Sequence, residues 1–341
     1  MFSAAPPTAI SREAKLDRII RIEEPGASPR LQSAACREPG AGEVVVRLHA
    51  AALNFADLLM IEAKYQETPP FPFVAGLEGA GVVEACGPGA RLAPGTRVAV
   101  YSQGTLADRG VFPETACLPI PDAMPMVDAA GFQIAYGTSH LALTRDGRVR
   151  PGDTVAVLGA GGGVGLTAVE IGAVLGARVI AVARGADKLA AARDAGAAEL
   201  IDSDATSDLR AALRALGGVD VVYDAVGDAP GLAAFGALKP GGRHLLIGFA
   251  GGRPPALPLN HALVKNISVH GFNWGAYRTL DPAALRDSLA ALFDLYAQGQ
   301  LRPVAGTVLP LDRAVEGYDL LRRRQAVGKV ILTMTGASDQ S

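Results

Sequence analysis

Cysteine is scarce in this chain. Three occur in 341 residues, Cys36, Cys86 and Cys117, and no two stand at a CxxC spacing. That excludes a disulfide framework and a CxxC-type redox or metal motif, and it fits reduced thiols in the cytoplasm. An excess of charge is missing too. There are 32 Lys and Arg against 34 Asp and Glu, a net charge of −2, so nothing points to nucleic acid or a membrane surface. The opening residues, MFSAAPPTAISREAKLD, hold no apolar core and carry charge by Arg12 and Glu13. They read as neither a signal peptide nor a membrane span, and residues 1–15 are expected to form a loosely ordered extension. With 49% hydrophobic and 19% charged residues, the composition is that of a soluble enzyme, and the length suggests two domains.

What is present is sharpest at residues 151–188, PGDTVAVLGAGGGVGLTAVEIGAVLGARVIAVARGADK. A β-branched run over 154–158 meets a Gly-rich turn, a helical stretch follows, and a second apolar run covers 178–183. This is the strand–turn–helix–strand of a dinucleotide-binding βαβ unit. The turn is Ala160-Gly161-Gly162-Gly163-Val164-Gly165, with Ala160 at the first glycine position of the fingerprint. Gly162 would let the backbone approach a pyrophosphate, and Gly165 would let the helix pack close to its strand. Backbone N–H groups at the helix start would face the phosphates.

The second strand lacks the acid that usually binds the ribose 2′-hydroxyl of NAD. Ala183 holds that position, followed by Arg184 and, a turn later, Lys188. Two cations beside a small residue suit a 2′-phosphate, so the pattern predicts NADPH.

Short β-rich runs at 19–22, 44–48, 81–85 and 97–100 precede the βαβ unit. After it, helices at 187–195, 208–216 and 231–237 alternate with strands at 199–201, 219–223 and 243–247, then a strand at 267–271. The alternation predicts an α/β chain with a doubly wound parallel sheet. An amphipathic helix over 282–298 and a tail closing with a strand at 329–332 are expected to return to the β-rich part.

Laid out this way, the chain resembles the medium-chain dehydrogenase/reductase superfamily, in its zinc-independent quinone oxidoreductase branch. The segments that carry the likeness are Asn54-Phe55-Ala56-Asp57, Tyr65 with Ala63 in place of a glycine, Ala75-Gly76-Leu77-Glu78-Gly79-Ala80-Gly81-Val82, Thr138, Asp224-Ala225-Val226-Gly227 and Gly328-Lys329-Val330. The resemblance implies a GroES-like β-rich catalytic domain, whose first part spans 16–138. It also implies a Rossmann-type NADPH domain over 139–275 and a C-terminal segment, 276–341, returning to the catalytic domain. Zinc-dependent relatives carry a His just before the signature Glu, where this chain has Leu77. With three scattered cysteines and no shared histidine spacing, the protein reads as metal-free.

Without a Lewis acid, quinones or alkenes conjugated to a carbonyl are the expected hydride acceptors. The resemblance offers Asn54 as a hydrogen-bond donor to a substrate oxygen or the nicotinamide ribose, with a structural amide as the competing reading. Tyr65 is offered as a phenol of the cleft wall, a donor or late proton source, with a packed aromatic with a wet tip as the competing reading. Tyr136 and Thr138 stand where the chain enters the cofactor domain. Thr138 could reach the carboxamide and is also read as a helix N-cap. Gly248 and Phe249 would line the nicotinamide, and Asn273, Trp274 and Gly275 would border the substrate, Trp274 being equally a core or dimer residue. Ser203 stands where relatives have a Tyr near the adenosine phosphate, and Lys329 joins the cofactor set. Positive charge at the cleft mouth, from Arg253 or Arg278, would favour an enoyl thioester instead. A non-catalytic NADPH-binding protein is the reading from another class. An edge strand at 266–272 is expected to pair two copies into a homodimer.

Overall fold

The structure, a computed structural model, describes residues 16–334. The extension expected over 1–15 lies outside the described residues, as do residues 335–341.

One domain is built on a six-stranded parallel sheet. Its order is Glu199–Asp202, Arg178–Ala183, Thr154–Leu158, Val219–Asp224, Leu238–Leu246, Ser268–Gly271. Every residue of Thr154–Leu158 is buried, because helices cover both faces of the sheet. This is why the strand reads as an unbroken apolar run with no polar alternation. The chain order reverses between Thr154–Leu158 and Val219–Asp224, so the carboxyl ends of these strands open a crevice. Two details differ from the sequence expectation. The fifth strand begins at Leu238, five residues before the apolar run that announced it. A short helix, Leu259–Lys265, precedes the sixth strand, bounded by Pro258 and by Asn266 in the left-handed region at φ 53°.

The other domain is a seven-stranded sheet with a three-stranded sheet against it. Glu43–Leu53 is its spine, pairing with Glu78–Cys86, Arg109–Pro113 and Lys329–Thr333. Glu78–Cys86 pairs in turn with Arg97–Tyr101. Lys329–Thr333 and its parallel neighbour Ala305–Pro310 come from the end of the chain, so the last segment is part of this domain's sheet. The α/β architecture expected from the sequence, β-rich domain plus doubly wound sheet, is the one the chain adopts. Among the described residues no helix is long and apolar enough to cross a membrane.

The junction places the site. Gly328 donates its backbone N–H to the Gly161 carbonyl at 3.0 Å, so the start of the closing strand touches the Gly-rich turn directly.

Candidate functional site

The Gly-rich turn is shaped by close approaches. Gly159, one residue before the stretch singled out in the sequence, makes the turn at φ +74°. Ala160 is buried beside it. A Cβ at Gly165 would lie 2.1 Å from the Gly159 carbonyl oxygen, so only glycine lets the helix Gly163–Val174 sit this near its strand. Gly162 caps that helix in extended conformation, and among the described residues no side chain accepts from the first-turn N–H groups. A Cβ there would meet only the Gly159 oxygen, at an ordinary 3.5 Å. The uncapped helix start beside an unfilled approach fits a phosphate-bearing cofactor. Val164 contributes its carbonyl, which accepts from Ser139 Oγ at 3.0 Å.

At the second strand's end Ala183 is buried, and Arg184 is exposed with no ion pair or hydrogen bond among the described residues. Lys188 folds its stem over Gly161 and donates from Nζ to the Arg324 carbonyl at 2.5 Å. Burial and then the nearby Arg184 guanidinium lower its pKa, with Asp204 opposing. The two cations are therefore neighbours. Ser203 turns inward, its N–H and Oγ both donating to the Ala183 carbonyl at 2.9 and 3.4 Å.

Across the junction lies a buried polar cluster. Asn54 follows Glu43–Leu53, Glu78 opens its strand and Lys329 opens the closing strand. These strands are adjacent, so the three side chains meet at one edge. Lys329 Nζ donates to Glu78 Oε1 at 2.7 Å and to Asn54 Oδ1 at 2.8 Å. Asn54 Nδ2 donates to Glu78 Oε1 at 3.0 Å and to the Ala52 carbonyl at 3.5 Å. Glu78 Oε2 accepts the Ile134 N–H at 3.0 Å. Beneath them Asp57 accepts the Asn54 backbone N–H at 2.7 Å. Burial, reinforced by Glu78, pushes the Asp57 carboxyl up to about 7 against the pull of that N–H and of Lys329. The Lys329 stem runs beneath the turn, so a Cβ on Gly163 would lie 2.8 Å from it. Lys329 thus directs its charge at the β-rich domain while its stem packs on the Gly-rich turn.

The mouth of the cleft is aromatic. Tyr65 is half-buried, and its hydroxyl has no hydrogen-bond partner among the described residues. Trp274 is buried, packed on Gly137 and edge-on to Tyr101 with ring centroids 4.7 Å apart. Gly275 lies beside the Tyr101 hydroxyl, and Asn273 Oδ1 approaches the same glycine. Phe249 is 40% exposed and its ring touches Gly227, while Gly248 donates to the Asp224 carbonyl at 3.2 Å. Tyr136 lies elsewhere: stacked on Phe132, it donates its hydroxyl to Glu170 at 2.5 Å. Thr138 is buried inside the helix Gln133–Leu141, whose N-cap is Phe132. The N-cap expectation for Thr138 is therefore corrected, because the helix starts at Gln133, about a turn and a half before Thr138.

Glu78, Asp57 and Tyr101 were not read as site residues. Glu78 was visible in a signature segment, but its partner Lys329 lies 251 residues away.

Similarity to known proteins agrees with this geometry. Residues 163–292 match the zinc-binding dehydrogenase family, and residues 40–122 match the alcohol dehydrogenase GroES-like domain. Over 310 residues the chain is 34% identical to quinone oxidoreductase-like protein 2 of Mus musculus, covering 89% of this chain and 88% of that one. The chain belongs to the medium-chain dehydrogenase/reductase superfamily, in its quinone oxidoreductase branch. This medium-chain oxidoreductase is also similar to solved structures. The quinone oxidoreductase of Thermus thermophilus, solved alone and with NADPH, is 32% identical with a TM-score of 0.83, covering 93% of this chain and 100% of that one. Mycobacterial Rv1454c, complexed with NADPH, is 29% identical with a TM-score of 0.86, covering 93% and 99%.

Part of this superfamily uses zinc. In this oxidoreductase no three His, Cys, Asp or Glu side chains gather as a metal site among the described residues. Leu77 precedes Glu78, and the Glu78 carboxylate is taken by Lys329, Asn54 and Ile134. The donor set does not fit a bound zinc.

Proposed function

We propose that this oxidoreductase is a metal-free, NADPH-dependent reductase of quinones or of alkenes conjugated to a carbonyl. One observation carries the reading. The uncapped start of Gly163–Val174 is joined, through Gly328 and Lys329, to a polar cluster in which lysine and asparagine occupy the carboxylate that a metal would need. The backbone N–H groups of 163–165 would hold the pyrophosphate, Arg184 and Lys188 the 2′-phosphate, and the Gly248–Phe249 and Asn273 backbone the nicotinamide end. Bound there, NADPH would supply a hydride. The chain itself supplies position and a dry cleft. With no Lewis acid, acceptors whose own conjugation takes up negative charge are favoured over simple ketones.

Small acceptors are favoured over enoyl-CoA esters. Arg253 and Arg278, the cations that could have drawn a phosphorylated carrier, each face a carboxylate: Asp228 and Glu67, both at 3.6 Å. The three free cysteines suit a reducing compartment such as the cytoplasm. The helix Leu259–Lys265 exposes Leu259, Leu263 and Val264 beside the sheet edge Ser268–Gly271. A second copy pairing on that edge would cover them.

The test follows NADPH absorbance with a panel of quinones, cyclic enones and enoyl-CoA esters. Turnover of quinones or enones after metal removal supports the reading. Turnover confined to CoA esters would replace the substrate class, and NADPH binding with no turnover of any acceptor would sink the enzyme reading.

A further inference from the structure

A carbonyl substrate held in this cleft needs a hydrogen-bond donor for its oxygen, and two of the candidate donors are already committed. Both amide hydrogens of Asn54 are directed at Glu78 and Ala52. The Tyr136 hydroxyl is on Glu170. Tyr65 and Tyr101 both keep an unengaged hydroxyl among the described residues, and Tyr101 is the one placed against the polar cluster. It ends the strand Arg97–Tyr101 and pairs directly with Glu78 in antiparallel register. Directly opposed residues of an antiparallel pair project to the same face, so the phenol rises beside the Asn54–Glu78–Lys329 cluster. Its hydroxyl makes no hydrogen bond among the described residues. Tyr101 is part-exposed, whereas Tyr318 is buried. A Cβ on Gly275 would lie 2.6 Å from the Tyr101 hydroxyl, so the hydroxyl needs glycine at that point of the loop.

The ring, by contrast, is held. The Trp274 ring meets it edge-on at 4.7 Å, and the Arg278 guanidinium lies over it, 4.8 Å from the centroid. Arg278 faces Glu67 of the β-rich domain at 3.6 Å, which ties this corner across the cleft mouth. Burial, with the guanidinium opposing, raises the phenol's pKa, so it remains a neutral donor at any working pH. The arrangement fixes the ring without using the O–H.

We propose that Tyr101 binds the carbonyl oxygen of the acceptor and stabilises the charge that develops there, with Arg278 and Glu67 holding it in aim. The inference rests on the reductase reading. In the step it serves, a hydride adds to the β-carbon and the C=C electron pair moves to the carbonyl oxygen. Water then protonates the α-carbon, and the reduced nicotinamide is the two-electron reductant. Tyr101 keeps its proton throughout. Its hydrogen bond to the oxygen strengthens as charge builds, which is where a fixed donor has most effect.

The experiment compares wild type with Tyr101→Phe, which keeps the ring between Trp274 and Arg278. Tyr65→Phe is the comparator. Cyclohexenone binding to the NADP⁺ complex is read from the fluorescence of Trp274, the only tryptophan. Tyr101→Phe should lower kcat/KM for cyclohexenone by about tenfold to a few hundredfold, mostly in kcat, and should weaken enone binding. NADPH affinity and the unfolding midpoint should stay at wild-type values. Arg278→Gln should produce a smaller loss, seen mainly in KM. If wild type reduces cyclohexenone and Tyr101→Phe matches it within twofold, the inference is overturned while the reductase reading stands. It is overturned in the same way if Tyr65→Phe takes the loss instead. If wild type reduces no carbonyl-conjugated acceptor, the reductase reading itself has failed.

Discussion

The Lys329 ammonium lies 2.7 Å from Glu78 Oε1, with the lysine side chain 10% exposed and the carboxylate 1%. Lys329 belongs to the last described strand, yet its stem packs against Gly163 of the cofactor turn. The pair therefore joins the Gly-rich turn to the β-rich sheet through one side chain.

Removing one member should cost about twice as much as removing both. Lys329→Met leaves a buried carboxylate with only Asn54 and the Ile134 N–H, and about 3–5 kcal/mol is the usual penalty for such a charge. Lys329→Met with Glu78→Gln should recover roughly half of that, because no bare charge remains. Calorimetric unfolding of the two variants beside wild type measures it. A double variant no more stable than the single one would contradict the pairing.

Asp57 gives the fold a pH dependence of definite sign. Its carboxyl stands near 3.8 in an unfolded chain and is pushed up to about 7 when buried. Between those values the folded state holds a proton the unfolded state has lost, so stability falls as pH rises from about 4 to 7 and levels off above. Asp57→Asn removes the effect and can still accept the Asn54 N–H. The variant should gain on wild type across that window, by on the order of 2–4 kcal/mol at pH 8. Urea unfolding at pH 5, 6, 7 and 8 tests it. A difference that stays flat with pH would show that Asp57 does not titrate there.

The strand–turn–helix–strand unit was legible in sequence because its determinants are local. Thr154–Leu158 and Arg178–Ala183 are continuous apolar runs, and the glycines between them follow from helix–strand contact within ten residues. The polar cluster was legible only in outline. Asn54 was visible as a polar residue after an apolar strand, but its partners lie 24 and 275 residues away, and no local period encodes them. The helix Leu259–Lys265 escaped notice because its seven residues are too few for a helical period to show, and none is buried. Tyr101 reads as an ordinary strand end until the register with Glu78 is known.

Two glycines of the turn should separate folding from cofactor binding. Ala at Gly165 would press its Cβ into the Gly159 carbonyl, so Gly165→Ala should unfold at lower temperature. Ala at Gly162 meets nothing closer than 3.5 Å and has an allowed backbone at φ −88°. Gly162→Ala should therefore keep the wild-type midpoint and lose NADPH affinity by about tenfold or more, since the methyl fills the phosphate approach. A Gly162→Ala protein that binds NADPH normally would move the pyrophosphate away from this turn.

The exposed helix offers a direct test of assembly. Leu263 is 81% exposed and Val264 76%, next to an unpaired sheet edge. If two copies meet there, Leu263→Arg with Val264→Glu should convert a dimer to a monomer without changing the fold. Light scattering at micromolar concentration decides it, and a wild-type monomer would refute the pairing.

Cofactor preference turns on Arg184. Lys188 already donates to the Arg324 carbonyl, and its ammonium is partly desolvated, whereas Arg184 is exposed and unengaged among the described residues. Arg184 should therefore carry more of the 2′-phosphate contact. A charge-assisted contact of this kind is worth about 1.5–3 kcal/mol before solvent and salt reduce it, so roughly tenfold is the expected loss. Arg184→Ala should weaken NADPH binding by about that factor and leave NADH unchanged. Ala183→Asp added to it should repel the phosphate and offer an acceptor to a ribose hydroxyl, which reverses the preference. The wild-type preference should also shrink as salt rises, because the contact is exposed. Titration of both cofactors at low and high salt measures all three effects. Equal wild-type affinity for NADH and NADPH at low salt would remove Arg184 and Lys188 from the phosphate site and leave the Gly-rich turn as the common anchor for either cofactor.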